Sequence, residues 1–229
     1  MNKKITVVTI LCLMLIAVVI FWRGPEERIS GLNSSQKSSL SKMVSIYTEE
    51  GQAAKAQDNI DVYLSKIGDG DLGVYETYVG VAQQYKLLGE GIKAFEYYQK
   101  AVENNPDRSL AYLGVANLFL QTGLIEDADI YYQKAVEKEP QYIQNHLTYT
   151  DFLVRTFPTE KTKITNAFES AINHTGSDIN ALKAYASWLG DEKEYDKAIV
   201  LWKKVLEQNP ENKESVQYEI DRLEKKKTL

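Results

Sequence analysis

The chain has 229 residues, 44% of them apolar and 26% charged, with a formal net charge of −5. That length is ample for a packed core, and the composition excludes disordered, collagen-like and linker-like chains. A single cysteine excludes an intramolecular disulfide or a cysteine zinc site, and a pI near 5.3 argues against nucleic-acid binding by bulk charge.

Residues 1–24 contain Lys3, Lys4 and Arg23 and no acid. Between them, residues 5–22 run eighteen positions without a charge. As a helix this run is about 27 Å long, close to the hydrocarbon thickness of a bilayer. Trp22 and Arg23 stand where an aromatic belt and a headgroup-facing cation belong. A cleaved signal peptide has a shorter apolar stretch and small residues at its cleavage site. Here the run ends on Ile20, Phe21, Trp22 and Arg23. Residues 1–24 are therefore expected to be an uncleaved transmembrane anchor, with Cys12 a lipid-facing apolar residue. Lys3 and Lys4 favour a cytoplasmic N-terminus, with the remaining chain extracytoplasmic. A soluble secreted or periplasmic protein after signal cleavage is the alternative.

Without the anchor, 24 basic residues face 32 acidic ones, a net −8. Gly24 and Pro25 stop the first helix. Residues 25–40, with five serines between residues 30 and 39, read as a flexible tether.

From there an internal repeat organises the chain. Pro106, Pro140 and Pro210 are 34 and 70 residues apart. Before Pro106 stand Tyr78, Val81, Ala82, Tyr85, Gly89, Ala94, Tyr98 and Ala101. Before Pro140, at the same spacing, stand Tyr112, Val115, Ala116, Phe119, Gly123, Ala128, Tyr132 and Ala135. A fourth unit carries Leu182, Tyr185, Ala186, Leu189, Ala198, Trp202 and Val205. Between the last two lies a divergent copy with His146, Tyr149, Thr150, Leu153, Ile164, Phe168 and Ala171, extended by two residues near Pro158. Spacings of 3, 1 and 3 put Tyr112, Val115, Ala116 and Phe119 on one helical face. Alanines allow two helices to approach, glycine suits the turn between them, and proline stops the second. Seven of the fifteen tyrosines fall on these repeated positions, so most of the tyrosine excess is expected to be packing.

This pattern resembles the tetratricopeptide-repeat (TPR) family, whose unit is a 34-residue helix–turn–helix. The resemblance implies an all-α, right-handed superhelical solenoid over residues 41–210, preceded by one transmembrane helix. The expected units lie near 41–72, 75–106, 109–140, 143–176 and 179–210. The first is the weakest, resting on Val44, Tyr47, Thr48, Ile60, Leu64 and Ile67. Residues 211–229 are expected to form a capping helix, with Val216, Ile220 and Leu223 on its inner face.

No catalytic constellation, metal site or cofactor motif occurs in the sequence. His146 stands where other units have Tyr or Leu and is expected to pack; His174 is expected to be solvated. Asp69-Gly70-Asp71 lacks the further ligands of a calcium loop and reads as a turn. The chain is expected to be no enzyme and to need no cofactor or small-molecule substrate. The resemblance implies a partner-binding concave face lined by the first helix of each pair. By register this face comprises Glu76, Val79, Gln83 and Lys86; Leu110, Leu113, Asn117 and Leu120; Gln144, Leu147, Asp151 and Val154; and Asn180, Lys183 and Ser187. Such rows suit a peptide or helix of another protein. The architecture resembles bacterial inner-membrane TPR proteins that assist secretion or assembly. A non-catalytic accessory subunit of an enzyme complex is the other reading.

Overall fold

The computed structural model describes residues 31–47, 49–67 and 73–228. Among them the chain forms eleven α-helices, one 3-10 turn and no strand. The expected membrane segment, residues 5–22, lies outside the described residues, as does Asp69-Gly70-Asp71. Among the described residues no helix is long and apolar enough to cross a membrane. Two N-terminal helices, α1 (Ser34–Leu40) and α2 (Glu50–Ser65), precede four helical pairs. The pairs are α3 (Val74–Leu87) with α4 (Gly91–Asn104), and α5 (Ser109–Gln121) with α6 (Ile125–Lys138). Next come α7 (Ile143–Thr156) with α8 (Lys161–His174), and α9 (Ile179–Asp191) with α10 (Tyr195–Gln208). A 3-10 turn, Pro210–Asn212, leads into α11 (Lys213–Lys227). The first helix of each pair is called A below, and the second B.

Within a pair, small residues set the distance. Ala82 meets α4 with Ala94 and Ala101, Ala116 meets α6 with Ala128 and Ala135, and all are fully buried. The A-to-B turns of the first two pairs hinge on Gly89 (φ 78°) and Gly123 (φ 76°). After each glycine the next N–H reaches back five residues, Glu90 to the Tyr85 carbonyl and Leu124 to the Phe119 carbonyl, both at 2.9 Å. This closure satisfies carbonyls that the helix end leaves free. In the fourth pair Lys193 takes the same left-handed conformation (φ 65°) and Glu194 donates to Leu189 at 2.8 Å. The third pair differs: four residues join its helices, and Glu160 N–H closes on the Phe157 carbonyl. There Thr150 and Ile164 replace two of the alanines at the helix contact.

Between pairs, aromatic rings from a B helix lodge against the next A helix. Phe95 packs on Phe119 with ring centroids 5.9 Å apart. Tyr132 packs on Phe152 at 4.7 Å, and Phe168 on Tyr185 at 5.0 Å. Tyr98 lies over Gly114, where an added Cβ would stand 2.2 Å from the ring. Burial raises the phenol pKa values of Tyr131 and Tyr132 to about 12. The buried tyrosines are packing groups, as their register implies.

His146 is also a packing group, with a second role. Its Nε2 lies 2.7 Å from the Pro140 carbonyl, and the Tyr112 hydroxyl donates to the Pro106 carbonyl at 3.1 Å one unit earlier. Histidine and tyrosine thus anchor the same carbonyl in successive units. His146 is 1% exposed and its ring stacks on His174 at 5.9 Å.

At the C-terminal end α11 buries Val216, Ile220 and Leu223 and packs on α10.

The N-terminal region departs from the expectation. A helical pair is expected over residues 41–72, but its described residues hold one helix, α2, which packs on α3. Ala56 and Ile60 of α2 are buried, and Tyr63 covers Gly80. Val44, expected in the core, is 83% exposed. Residues 43–47 form no helix; instead the Ile46 N–H donates to the Leu87 carbonyl at 3.0 Å. Residues 34–40 are expected to be flexible tether but form α1. Asn33 and Gln36 close a capping box at its start. A helix of seven residues is not stable alone in water. Here it is held by Leu40, which is fully buried, and by Gln36, whose Nε2 donates to Asp127 at 2.8 Å.

Two outcomes test this packing. On an open helix surface Gly→Ala stabilises by up to about 1 kcal/mol. Gly114→Ala is expected to destabilise by about 1–3 kcal/mol, because Tyr98 is buried and has nowhere to move. Urea unfolding measures the loss, and Tyr98→Leu in the same chain should relieve it. The second concerns pH. Burial lowers the His146 pKa, so below about pH 6.5 the unfolded chain binds more protons than the folded one. The stability His146 contributes is complete above that pH and declines as pH falls toward its folded value. His146→Tyr should flatten this decline in thermal unfolding between about pH 7 and 5.

Candidate functional site

Among the A helices, α3 lies beside α5 and α7 beside α9, while α5 and α7 make no comparable contact. The residues that register assigned to a binding face therefore fall on two such couples, and they do not all reach solvent. Val79 is 3% exposed and belongs to the core; it precedes Gly80, where Tyr63 of α2 packs. Leu113, Leu120 and Val154 are half-buried and packed against the core cluster. Leu110 is 43% exposed, and Leu147 is half-buried. Gln83, Gln144, Asp151, Asn180 and Ser187 are exposed, while Glu76, Lys86, Asn117 and Lys183 are half-buried.

The polar members differ in how far the protein already occupies them. Asn117 donates from Nδ2 to the Leu113 carbonyl and accepts at Oδ1 from the Tyr132 hydroxyl, both at 2.9 Å. It is thereby fixed in one rotamer by its own B helix. Glu76 pairs with Arg108, and that hydrogen bond holds its carboxyl below the usual range. The Arg108 guanidinium also lies 4.4 Å over the Tyr75 ring. Asp151 pairs with Arg155 one turn on at 2.8 Å, a solvated pair of little energetic weight. Gln144 donates to the Thr148 hydroxyl at 3.3 Å. Desolvation of its half-buried ammonium lowers the Lys86 pKa.

The N-terminus of α5 shows how neighbouring units order this face. Its N-cap position, Arg108, makes no side-chain cap bond. The Tyr75 hydroxyl accepts instead from the Ala111 N–H at 2.8 Å, and Glu139 Oε2 accepts from the Ser109 N–H at 2.8 Å. Donors that a helix start leaves unpaired are thus met from the preceding unit and from the far end of the same pair. Asn145 does the converse at the end of α6, donating to the Ala135 and Glu139 carbonyls at 3.1 and 3.2 Å.

Two surface grooves lie away from the register positions. One, of about 760 Å3, is lined by Gln133, Tyr149, Lys163, Asn166 and Ser170 together with the turn around Glu160. Beside it the Tyr149 hydroxyl and Lys163 both donate to Asp129, at 3.1 and 2.6 Å, joining α6, α7 and α8. Its sequence signal is the two-residue extension near Pro158 together with Ile164 in an alanine position. The other, of about 530 Å3, lies between residues 39–46 and the end of α5 at Gln121 and Thr122. No periodicity announces it. Among the described residues no group of three or more His, Cys, Asp or Glu side chains is placed to hold a metal ion.

Comparison with known proteins agrees with the helical pairs. Residues 110–142, which are α5, α6 and their flanks, match the family described as tetratricopeptide repeat. No curated protein matches the sequence. Among solved structures, a TPR protein described as having an unusual peptide-binding site, YrrB, aligns with a TM-score of 0.50 at 18% identity. That alignment covers 74% of this chain and 85% of YrrB. PilF of Pseudomonas aeruginosa aligns at 0.50 and 20% identity, over 68% of this chain and 69% of its own. The human IFIT1 dimer with PPP-AAAA aligns at 0.51 and 17% identity, over 76% and 42%. At these identities the likeness concerns the fold. The chain carries a tetratricopeptide repeat at residues 110–142 and folds as an all-helical, TPR-like solenoid.

Proposed function

We propose that the protein is a membrane-tethered interaction scaffold that binds a peptide or helix of another protein along its A-helix face. TPR-type solenoids serve as protein-interaction scaffolds, and the aligned YrrB structure is described as having a peptide-binding site. One observation carries the reading for this chain. Leu110 and Leu147 keep accessible apolar surface on α5 and α7, flanked by exposed Gln144, Asp151 and Asn180. Apolar anchors beside side-chain hydrogen-bonding groups are what an extended or helical peptide requires. Residues 5–22 supply the anchor in this proposal. The N-terminus lies in the cytoplasm and the solenoid outside it, in a bacterial inner membrane, where the chain assists assembly or secretion.

Leu110→Glu combined with Leu147→Glu tests the face. Both positions retain solvent contact, so the helical circular dichroism signal should stay. Partner capture from native membranes, read by crosslinking and mass spectrometry, should fall at least tenfold, and undiminished capture would count against the A-helix face. Protease protection tests the topology: in intact cells the solenoid should be cut once the outer barrier is opened, and in inverted vesicles it should be protected.

A further inference from the structure

The segment over residues 31–47 is unlike the rest of the solenoid. From residue 29 to residue 48 there is no acid, in a chain that is otherwise acidic beyond the anchor. Its two charges, Lys37 and Lys42, are both exposed. The segment lies along the edge formed by the A-to-B turns. At one end Gln36 bonds Asp127 in the first turn of α6, and at the other Ser45 and Ile46 bond the Leu87 carbonyl.

Two glycines make its seat. A Cβ on Gly89 would stand 2.5 Å from the Ser45 backbone, and one on Gly91 would stand 2.6 Å from the Leu40 carbonyl. Further along the solenoid the seat is missing. A Cβ built on Gly123 would meet nothing within 4 Å, and Ile125, Lys161 and Tyr195 begin their B helices where Gly91 begins α4. The strap therefore has one place to lie. Seated there, it turns Val44 and Ile46 outward, 83% and 64% exposed, beside Lys42.

We propose that this strapped edge is the surface that the solenoid lays on an anionic bilayer. The proposal rests on the reading of residues 5–22 as a membrane anchor. Nine residue steps separate Trp22 from Gly31, which at about 3.5 Å each hold the edge within roughly 30 Å of the membrane interface. A free tether to residue 41 would allow about twice that reach. Exposed aliphatics following two lysines, on a strap with no acid of its own and beside a turn whose Glu90 is paired with Lys93, have the chemistry of an interfacial segment facing anionic headgroups. Two lysines and two aliphatics bind weakly by themselves. The anchor supplies a local concentration in the millimolar range, so a weak contact is enough to fix orientation. The solenoid then stands edge-on, and its A-helix face remains open to a partner.

The test uses the full chain with Cys12→Ser, and Val44→Cys carrying an environment-sensitive dye. A second chain carries the dye at Tyr218→Cys, an exposed position on α11. Each is reconstituted into vesicles of phosphatidylcholine, with or without phosphatidylglycerol. Co-flotation in both lipids reports the anchor. The expected result is a blue shift and quenching by lipid-borne quenchers at position 44, enhanced by phosphatidylglycerol and absent at position 218. Lys37→Gln with Lys42→Gln should reduce the docked-to-undocked ratio roughly 25-fold, about fivefold for each lysine, without altering flotation. If the chain floats while position 44 stays as solvated as position 218, the docking is overturned and the anchor stands. Position 44 becoming shielded only when other membrane proteins are added also overturns it, in favour of a protein partner. Failure to float removes the anchor and the proposal together.

Discussion

The contact on which the structure depends is the one between a B helix and the A helix that follows it. Within a pair, helices joined by a short turn meet because they are local in sequence. Between pairs the connection is comparably short, four residues from each B helix to the next A helix, and the apolar face of each pair would stay wet without a neighbour. Rings close that interface: Phe95 on Phe119, Tyr132 on Phe152, and Phe168 on Tyr185. Where Tyr98 meets the next helix, the space is made by removing a side chain, at Gly114. Large on one side and absent or flat on the other is how close packing is reached without voids.

Hydrogen bonds follow the same division. Helix starts and carbonyls near the pair boundaries are met by groups from adjoining segments: Tyr75 and Glu139 at α5, Asn145 at α6, and Tyr112 and His146 on the preceding proline carbonyls. A buried donor or acceptor left unpaired costs about 1–3 kcal/mol. These bonds therefore specify the stacking register as well as supporting it. The exchange of tyrosine for histidine between units keeps the donor at one place while changing the ring around it. It also places a titratable imidazole, its pKa lowered by burial, at this anchor of the third unit.

Much of this was legible in the sequence, and the limits have physical causes. A 34-residue period in Tyr, Ala, Gly and Pro points to helix, turn and stop, and residues 74–208 hold four helical pairs. Register alone could not say which A-helix residues stay accessible. Val79 occupies the same place as Leu113 and Leu147, yet it is buried where the others are not. Its neighbour Gly80 receives Tyr63 from α2, the single described helix of the weak first unit that holds Ile60 and Leu64. Residues 34–40, expected as tether, differ from expectation for a related reason. A serine-rich stretch looks flexible by composition, and seven residues cannot make a helix unaided. Its order comes from one leucine and a pair of glycines about fifty residues away, a relation that periodicity does not contain.

Those glycines change what the N-terminal region does for the whole. A repeat protein is uniform along its length, and uniformity gives it no preferred edge. Gly91 breaks that uniformity at one turn, where later units carry Ile125, Lys161 and Tyr195. The strap that lies there joins the first pair to the second along their turns, through Leu87 and Asp127. Meanwhile α2 supplies a B-type neighbour for α3, which would otherwise present its face to water. The N-terminal end is thus closed by a helix without a pair, as α11 closes the other. The two closures differ in kind. α11 exposes Tyr218 behind its three buried residues, while the N-terminal closure leaves Val44 and Ile46 uncovered at the turn edge. These are the two most exposed large aliphatics among the described residues, and they stand two positions apart, which gives this end an apolar edge that α11 does not give the other.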